Sequence, residues 1–466
     1  MRGFKIKSKN GNEYFYNDDT GFVFNCSNEE WKEKYNEIIE KCKPRYNQVV
    51  ANKENIDRYL YDDANGFRQL ILEVASGCNL RCKYCIYSEH YPNYKTYTDQ
   101  FMTFDIAKKA IDYYMKNFEM VQKINPTRVP NIGFYGGEPL LNFKLIKEIV
   151  NYVKDKYENV EYHITTNGLL LNEEVQEFFV RNSFSVTVSL DGNKEEHDRN
   201  RVKVNGNGSF DEIIRNIRSL KKNYPEYNKM GISFCFDFKT NFDVIEKFMD
   251  EEDLFITKFS FIDQNDTTYF EQFTEEDIKS YLERKRKIEE RFKDICKSNT
   301  INKRSFIYAY LGIDYAQFAF HPVYNETRPL LVPYSGTCVP GEKIYVTIDG
   351  KMHICEKINQ NYPIGDVDNG LNYDNMVKII DDYNKLFEKR CKNCNISRFC
   401  SICYAQCCQE KGFKKEIKEC KLNEVAVRDK MKTYIDLLEE SPGIFEEITV
   451  DYYNEIHRKM SGCFEF

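Results

Sequence analysis

No apolar run in this 466-residue chain approaches the roughly 18 residues that would span a bilayer, so no transmembrane helix is expected. The first residues, MRGFKIKSKNGNEYFYNDD, turn polar at once and lack the apolar core of a secretory signal. A cytoplasmic protein is therefore expected. A basic stripe is missing too: 67 Lys and Arg are outnumbered by 74 Asp and Glu spread along the chain, for a net charge of −7. That balance argues against a nucleic-acid partner. There is no internal repeat and no low-complexity tract to suggest a solenoid or a linker.

The chain is rich in cysteine instead. Its 17 cysteines are poorly explained as disulfides in a reducing compartment, so metal or cluster ligation becomes the leading reading. Cys26, Cys42, Cys235, Cys296 and Cys463 stand alone and read as small apolar residues in or near a core. The other twelve fall into two groups. With 41% hydrophobic and 30% charged residues, a chain of this length has room for two or three domains.

From Arg68 onward short apolar runs alternate with amphipathic stretches: LILEVA, a helix near 104–118, NIGFYGG, a helix near 143–156, YHITTNG, a helix near 172–179 and FSVTVSLDG. A helix near 209–222, GISFCFDF, a helix near 244–250 and FITKFSFI continue the pattern. Six strands joined by helical crossovers imply an α/β fold with a parallel sheet and functional residues at the carboxyl ends of the strands. Before it, GNEYFYNDDTGFVF reads as a hairpin and 29–42 as a charged helix, a short α+β module over 1–66. After the strand–helix region (67–265) come a helical bridging segment (266–335, with an amphipathic helix over 275–296), a Cys-rich domain (336–425) and a C-terminal helix and tail (426–466).

SGCNLRCKYC follows the first strand and places Cys78, Cys82 and Cys85 on one tight loop in C-x3-C-x2-C spacing. Three thiolates leave one iron of a 4Fe-4S cubane open to a ligand that is not protein. Further motifs sit at successive strand ends: Gly136-Gly137-Glu138-Pro139, Thr166-Asn167-Gly168, Ser189-Leu190-Asp191-Gly192, then His197-Asp198-x-x-Arg201. Taken alone, a Gly-Gly-Glu-Pro run is an ordinary surface turn. Its place after the second strand, with the cysteine triplet after the first, resembles the radical S-adenosylmethionine (SAM) superfamily over roughly residues 68–265. The resemblance implies a partial (β/α)6 radical SAM barrel. It implies that Tyr84 packs by the adenine and that Gly136, Gly137, Glu138 and Pro139 receive the methionine amino group. It also implies that Asn167, Ser189 and Asp191 meet the ribose or carboxylate and that Arg201 approaches the carboxylate, while His197 braces the loop.

In the second group, Cys338 is followed by eleven residues, Gly350, four residues and Cys355, and KIYVTIDGKMHIC reads as a hairpin turning at Asp349-Gly350. Cys391, Cys394, Cys400, Cys403, Cys407 and Cys408 follow in one stretch, with Cys420 beyond. This resembles a SPASM domain, a carrier of auxiliary clusters. By that resemblance Cys391, Cys394, Cys400 and Cys420 hold an outer cluster, and Cys338, Cys355 and either Cys403 or Cys407 an inner one. The chain departs from the family pattern where Cys403 follows Cys400 at x2, and Cys407 and Cys408 are additional. Zinc is the competing reading for the two C-x2-C pairs, but only five residues separate them.

The resemblance implies an enzyme whose cofactors are S-adenosyl-L-methionine and 4Fe-4S clusters, one for radical chemistry and two auxiliary. Reductive cleavage to a 5′-deoxyadenosyl radical starts the reaction it implies. The expected substrate is a ribosomally made, Cys-rich precursor peptide, with thioether crosslinks as the product. Flavodoxin or ferredoxin is the expected electron donor, and residues 1–66 are expected to help hold the leader peptide. Two alternatives are an anaerobic sulfatase-type maturase acting on a Cys or Ser of a protein, and a non-catalytic iron-sulfur or zinc protein that binds a peptide. No catalytic acid or base is singled out.

Overall fold

The computed structural model describes residues 2–27, 29–42, 49–298, 300, 302, 304–319, 321, 323 and 329–443. Cys463 and most of the expected tail lie outside them. Strands β1 (Gly3–Lys7), β2 (Glu13–Asn17) and β3 (Val23–Asn25) form an antiparallel sheet in that order. Helix α1 (Glu30–Lys41) covers it by setting Trp31 6.0 Å from Phe15 and Tyr35 5.7 Å from Phe24, ring centre to ring centre. A short helix, α2 (Lys53–Asp57), and the wider turn Arg58–Asp62 then lead into the central sheet.

That sheet contains the six expected parallel strands side by side in sequence order: β4 (Gln69–Ala75), β5 (Asn131–Gly136), β6 (Glu161–Thr166), β7 (Ser185–Ser189), β8 (Met230–Phe236) and β9 (Ile256–Phe261). β4 is buried along its whole length, as a strand flanked on both sides in a layered α/β fold must be. The crossovers are α3 (Phe104–Ile124), α4 (Phe143–Lys156), α5 (Glu173–Arg181), α7 (Phe210–Asn223) and α8 (Phe242–Glu251), with the short α6 (Lys194–Asn200) after β7. α4 shows why they pack: Leu145, Ile146, Ile149, Val150 and Val153 make one buried stripe at helical spacing. Thr103 and Asn172 begin α3 and α5 by accepting from the backbone N–H of Ile106 and Val175.

The sheet does not stop at six strands. The hairpin β10 (Lys343–Val346) and β11 (Lys351–His353) turns at Gly350, whose φ is +83°, and β10 pairs in parallel with β4 from Lys343 opposite Gln69 to Val346 opposite Leu72. Two short strands, β12 (Gly365–Asp366) and β13 (Gly370–Leu371), complete a ten-stranded sheet. The Cys-rich region is thus joined to the barrel by main-chain hydrogen bonds.

Helix α9 (Glu275–Ser298) buries Tyr281, Ile288, Phe292 and Cys296, and α10 (Ile313–Ala319) follows it in the bridging segment. Then come α11 (Tyr373–Cys391) and α12 (Ile417–Glu440). α12 runs through the expected boundary at 425/426, which puts Cys420 near its start. Among the described residues no helix is long and apolar enough to cross a membrane.

Candidate active site

The loop after β4 rests on its own small apolar cluster of Leu80, Cys82, Tyr84, Ile262 and Tyr269. Around the three thiols stand donors suited to anionic sulfur. The Leu80 N–H lies 3.4 Å and the Asn167 amide 3.7 Å from Cys78 Sγ, and Arg201 Nη1 lies 3.8 Å from Cys82 Sγ. The Tyr97 hydroxyl and the Tyr87 N–H serve Cys85. Burial raises all three thiols, Cys78 to about 12, so without metal they are neutral and ligation must release protons. Among the described residues no three His, Cys, Asp or Glu side chains converge as a single-ion site. A cubane makes no such demand, since each thiolate takes a different iron, and this ring of sulfur-directed donors fits it.

The second strand end is locked against this loop. Gly137 and Glu138 donate their N–H groups to Ala75 and Gly77, 2.9 and 2.8 Å away. A Cβ at Gly136 or Gly137 would run into the carbonyl oxygen of Ala75 or Gly77 respectively, and Gly136 has a φ of +139°. The fully buried Glu138 carboxylate accepts from Leu140 N–H (3.0 Å), Thr166 Oγ1 (2.7 Å) and Asn167 N–H (2.8 Å). It ties the second strand end to the third, and burial raises it to about 7 against those three donors. Pro139 opens the turn 139–142 that these bonds hold.

At the fourth strand end Asp191 is the hub. Arg201 Nε lies 2.8 Å from Oδ2, the Tyr84 hydroxyl donates to the same oxygen, and the Cys235 N–H donates to Oδ1 at 3.0 Å. The Arg201 guanidinium also sits 5.3 Å from the centre of the Tyr84 ring. His197 is buried and held well below its ordinary pKa by burial and by Arg201. Its Nδ1 accepts from Asp191 N–H (3.3 Å) and its Nε2 meets Ser209 Oγ (2.9 Å), which itself donates to the Arg201 carbonyl. His197 therefore braces the loop, as expected. Ser189 is half-buried at the end of β7. Cys235, whose facing the sequence leaves open, is half-buried against the small apolar cluster under the cysteine loop and beside Asp191, Arg201 and Tyr84, because the alternation of β8 turns Phe234 and Phe236 into the main core and Cys235 away from it.

In the second group Cys403 is the thiol that acts on both Cys338 and Cys355. Cys407 has Cys403, Cys408 and Cys400 around it, and Cys394 has Cys400. Cys408 faces the barrel, its Sγ 3.5 Å from the Tyr94 hydroxyl and its carbonyl 2.8 Å from the Asn265 amide. Cys391 ends α11.

Between the two groups stand residues that sequence reasoning did not single out. Tyr135 has Glu356, Cys85 and Cys235 around it. Against the effect of burial, Lys357, Lys343 and Lys258 hold the Glu356 carboxyl below its usual range. Lys357, and then burial, lower Lys258 to about 8. No motif marks these residues; only the fold collects them.

Residues 72–246, in which the first strand of a parallel sheet delivers the C-x3-C-x2-C loop onto the Gly-Gly-Glu-Pro turn, match the family described as Radical SAM superfamily. Members of that family use S-adenosylmethionine and a 4Fe-4S cluster. The chain is similar to a cysteine-type anaerobic sulfatase-maturating enzyme of Clostridium novyi, 35% identical over 195 residues, which are 41% of this chain and 50% of that protein. A serine-type enzyme of the same name from Bacteroides thetaiotaomicron is 33% identical over 168 residues, 35% of this chain and 38% of that protein. A radical SAM cyclopropyl synthase of Paramaledivibacter caminithermalis is 28% identical over 233 residues, 47% and 48% of the two chains. The alignments span half the length of these curated relatives or less. Among solved structures, native anSMEcpe with bound AdoMet superposes with a TM-score of 0.54 at 19% identity, covering 83% of this chain and 99% of that one, a likeness of fold.

Proposed function

We propose that this protein is a radical SAM maturase of a ribosomally made precursor peptide and that it forms thioether bonds between cysteine sulfur and carbon. The observation that carries the reading is that half-buried Tyr135 has both Cys85 and Glu356 as neighbours while Cys355 also has Glu356, so side chains of the barrel and of the Cys-rich region link the two thiol groups. When bound, the cofactors supply reductive cleavage of S-adenosylmethionine and hydrogen abstraction from carbon. The chain's own residues would do the positioning. Tyr84 would flank the adenine, the Gly136 to Pro139 turn would receive the methionine amino group, and Asn167, Ser189, Asp191 and Arg201 would order the ribose and carboxylate. Cys78, Cys82 and Cys85 would hold the radical cluster. Cys338, Cys355 and Cys403 would hold the inner auxiliary cluster, and Cys391, Cys394, Cys400 and Cys420 the outer, with Cys407 beside both. Residues 1–66 would engage the leader, a flavodoxin or ferredoxin would supply the electron, and the reaction would run in the cytoplasm.

A second reading is favoured by the two sulfatase-maturating relatives: oxidation of a protein Cys or Ser. One experiment separates the two. The anaerobically reconstituted protein is given a Cys-rich precursor peptide and, separately, a sulfatase-type peptide, and the products are analysed by mass. A crosslink formed with loss of two hydrogens and of an alkylatable thiol supports the first reading, and a hydrazide-reactive aldehyde the second. S-adenosylmethionine left intact under dithionite overturns both. Iron counting adds an independent check, since three 4Fe-4S clusters mean about twelve irons per chain and one means about four.

A further inference from the structure

Tyr404 lies one residue beyond Cys403, in the turn 404–406, and is 2% exposed. Its hydroxyl is one of the few buried side-chain polar atoms among the described residues with no hydrogen-bond partner. An orphaned buried hydroxyl costs about 1–3 kcal/mol, and most buried polar groups find a partner. The ring has little freedom to seek one elsewhere. It is wedged 4.5 Å from Tyr383 and 5.7 Å from Phe413, centre to centre. The backbone is pinned as well: Tyr404 N–H donates to Thr337 Oγ1 (3.3 Å), and its carbonyl accepts from the N–H groups of Cys407 (3.0 Å) and Cys408 (2.8 Å).

The ionisable groups near Tyr404 are Cys338, Glu342 and Cys403, as its place next to Cys403 and its N–H bond to Thr337, the neighbour of Cys338, require. Glu342 is committed elsewhere: its Oε1 accepts from the Tyr59 hydroxyl and the Val339 N–H, both at 2.8 Å, and its Oε2 is paired with Arg68 Nη1 at 3.7 Å. Neighbouring Tyr383 is satisfied through Ser335 Oγ (2.7 Å) and the Ile402 carbonyl (3.1 Å). What remains for Tyr404 is sulfur.

We propose that the Tyr404 hydroxyl donates a hydrogen bond to the inner auxiliary cluster, at or beside the Cys338 sulfur, and raises that cluster's reduction potential. The proposal rests on the reading that Cys338, Cys355 and Cys403 hold that cluster. A donor aimed at cluster sulfur favours the reduced, more negative state, the state reached when the cluster takes an electron from a substrate radical.

The test uses the full chain, reconstituted anaerobically, with Cys78, Cys82 and Cys85 replaced by Ala so that only auxiliary clusters are seen. In that background Tyr404→Phe removes one oxygen and keeps the ring. Iron and sulfide content should be unchanged. In an EPR-monitored redox titration the ratio of reduced to oxidised inner cluster at fixed poise should fall about tenfold, a shift of about 59 mV for a one-electron couple. The outer cluster should not move. Tyr383→Phe, which loses a hydroxyl already bonded within the protein, should leave both potentials unchanged. An unshifted inner potential with full iron content, or an equal shift in the Tyr383→Phe protein, overturns the proposal. Retention of all iron in Cys338→Ala instead overturns the cluster assignment beneath it.

Discussion

Arg201 and Asp191 form an ion pair, Nε to Oδ2 2.8 Å, in which both side chains are more than nine-tenths buried and the same guanidinium reaches Cys82. Removing one partner of such a pair leaves a buried charge uncompensated, a cost of about 3–5 kcal/mol, whereas removing both costs much less. Asp191→Ala and Arg201→Met should each destabilise the apo protein by that order, and the double variant should lose clearly less than the sum. Urea unfolding of the four proteins measures the coupling. Strict additivity would show that the pair contributes nothing as a pair.

Glu138 makes stability depend on pH with a definite sign. The folded protein keeps this proton up to about 7, whereas an ordinary carboxyl loses it near 4.5. Between those values the folded state binds the extra proton, so stability should fall as pH rises and level off above 7, by a total on the order of 3 kcal/mol. Glu138→Gln should flatten this segment of the profile. It should also weaken the turn, because an amide nitrogen cannot accept from Asn167 N–H. Apo-protein unfolding across the range decides it, and an unaltered slope in the variant would refute the assignment.

Gly137→Ala tests the close approach of two strand ends. The new methyl group would meet the Gly77 carbonyl oxygen, which is backbone and cannot swing away. The cluster loop and the Gly-Gly-Glu-Pro turn must part, so S-adenosylmethionine affinity in equilibrium dialysis should drop at least tenfold, about 1.4 kcal/mol or more. Gly133, on the strand that leads to Gly137 but without a positive φ and with no atom nearer than 3.4 Å to an added Cβ, is the control substitution.

Asp18 fastens the N-terminal sheet to the Cys-rich region. Its Oδ1 accepts from the Tyr16 hydroxyl (2.9 Å) and the Arg398 N–H (3.1 Å), and its Oδ2 from the Ser397 hydroxyl. Since Ser397 and Arg398 lie between Cys394 and Cys400, Asp18→Ala should expose residues 2–42 to limited proteolysis and lower the iron retained by the outer thiols. The energetic cost should be about 2–4 kcal/mol. Unchanged proteolysis and iron content would mean that the sheet is merely adjacent.

Much of the barrel was legible because its signals are local. The apolar runs of β4 to β9 and the stripe on α4 follow from residues within a few positions of one another, and the helices lie within a turn or two of where the pattern places them. The residues at the strand ends were legible for the same reason. The facing of Cys235 stayed open because one cysteine among phenylalanines carries no sign of which side of the strand faces the site. Tyr135, Lys258 and Glu356 were missed because each is unremarkable in its own segment.

By itself the sequence determined the two cysteine spacings, the parallel α/β rhythm and the Asp349-Gly350 turn, since each depends on covalent neighbours and backbone preference. The tertiary structure alone decided that β10 pairs with β4, that Asp18 clasps Ser397 and Arg398, that Cys403 stands with Cys338 and Cys355, and that the Tyr404 hydroxyl is left without a partner. Those outcomes depend on which surfaces meet after the chain has closed loops of tens to hundreds of residues, and no local pattern encodes that meeting.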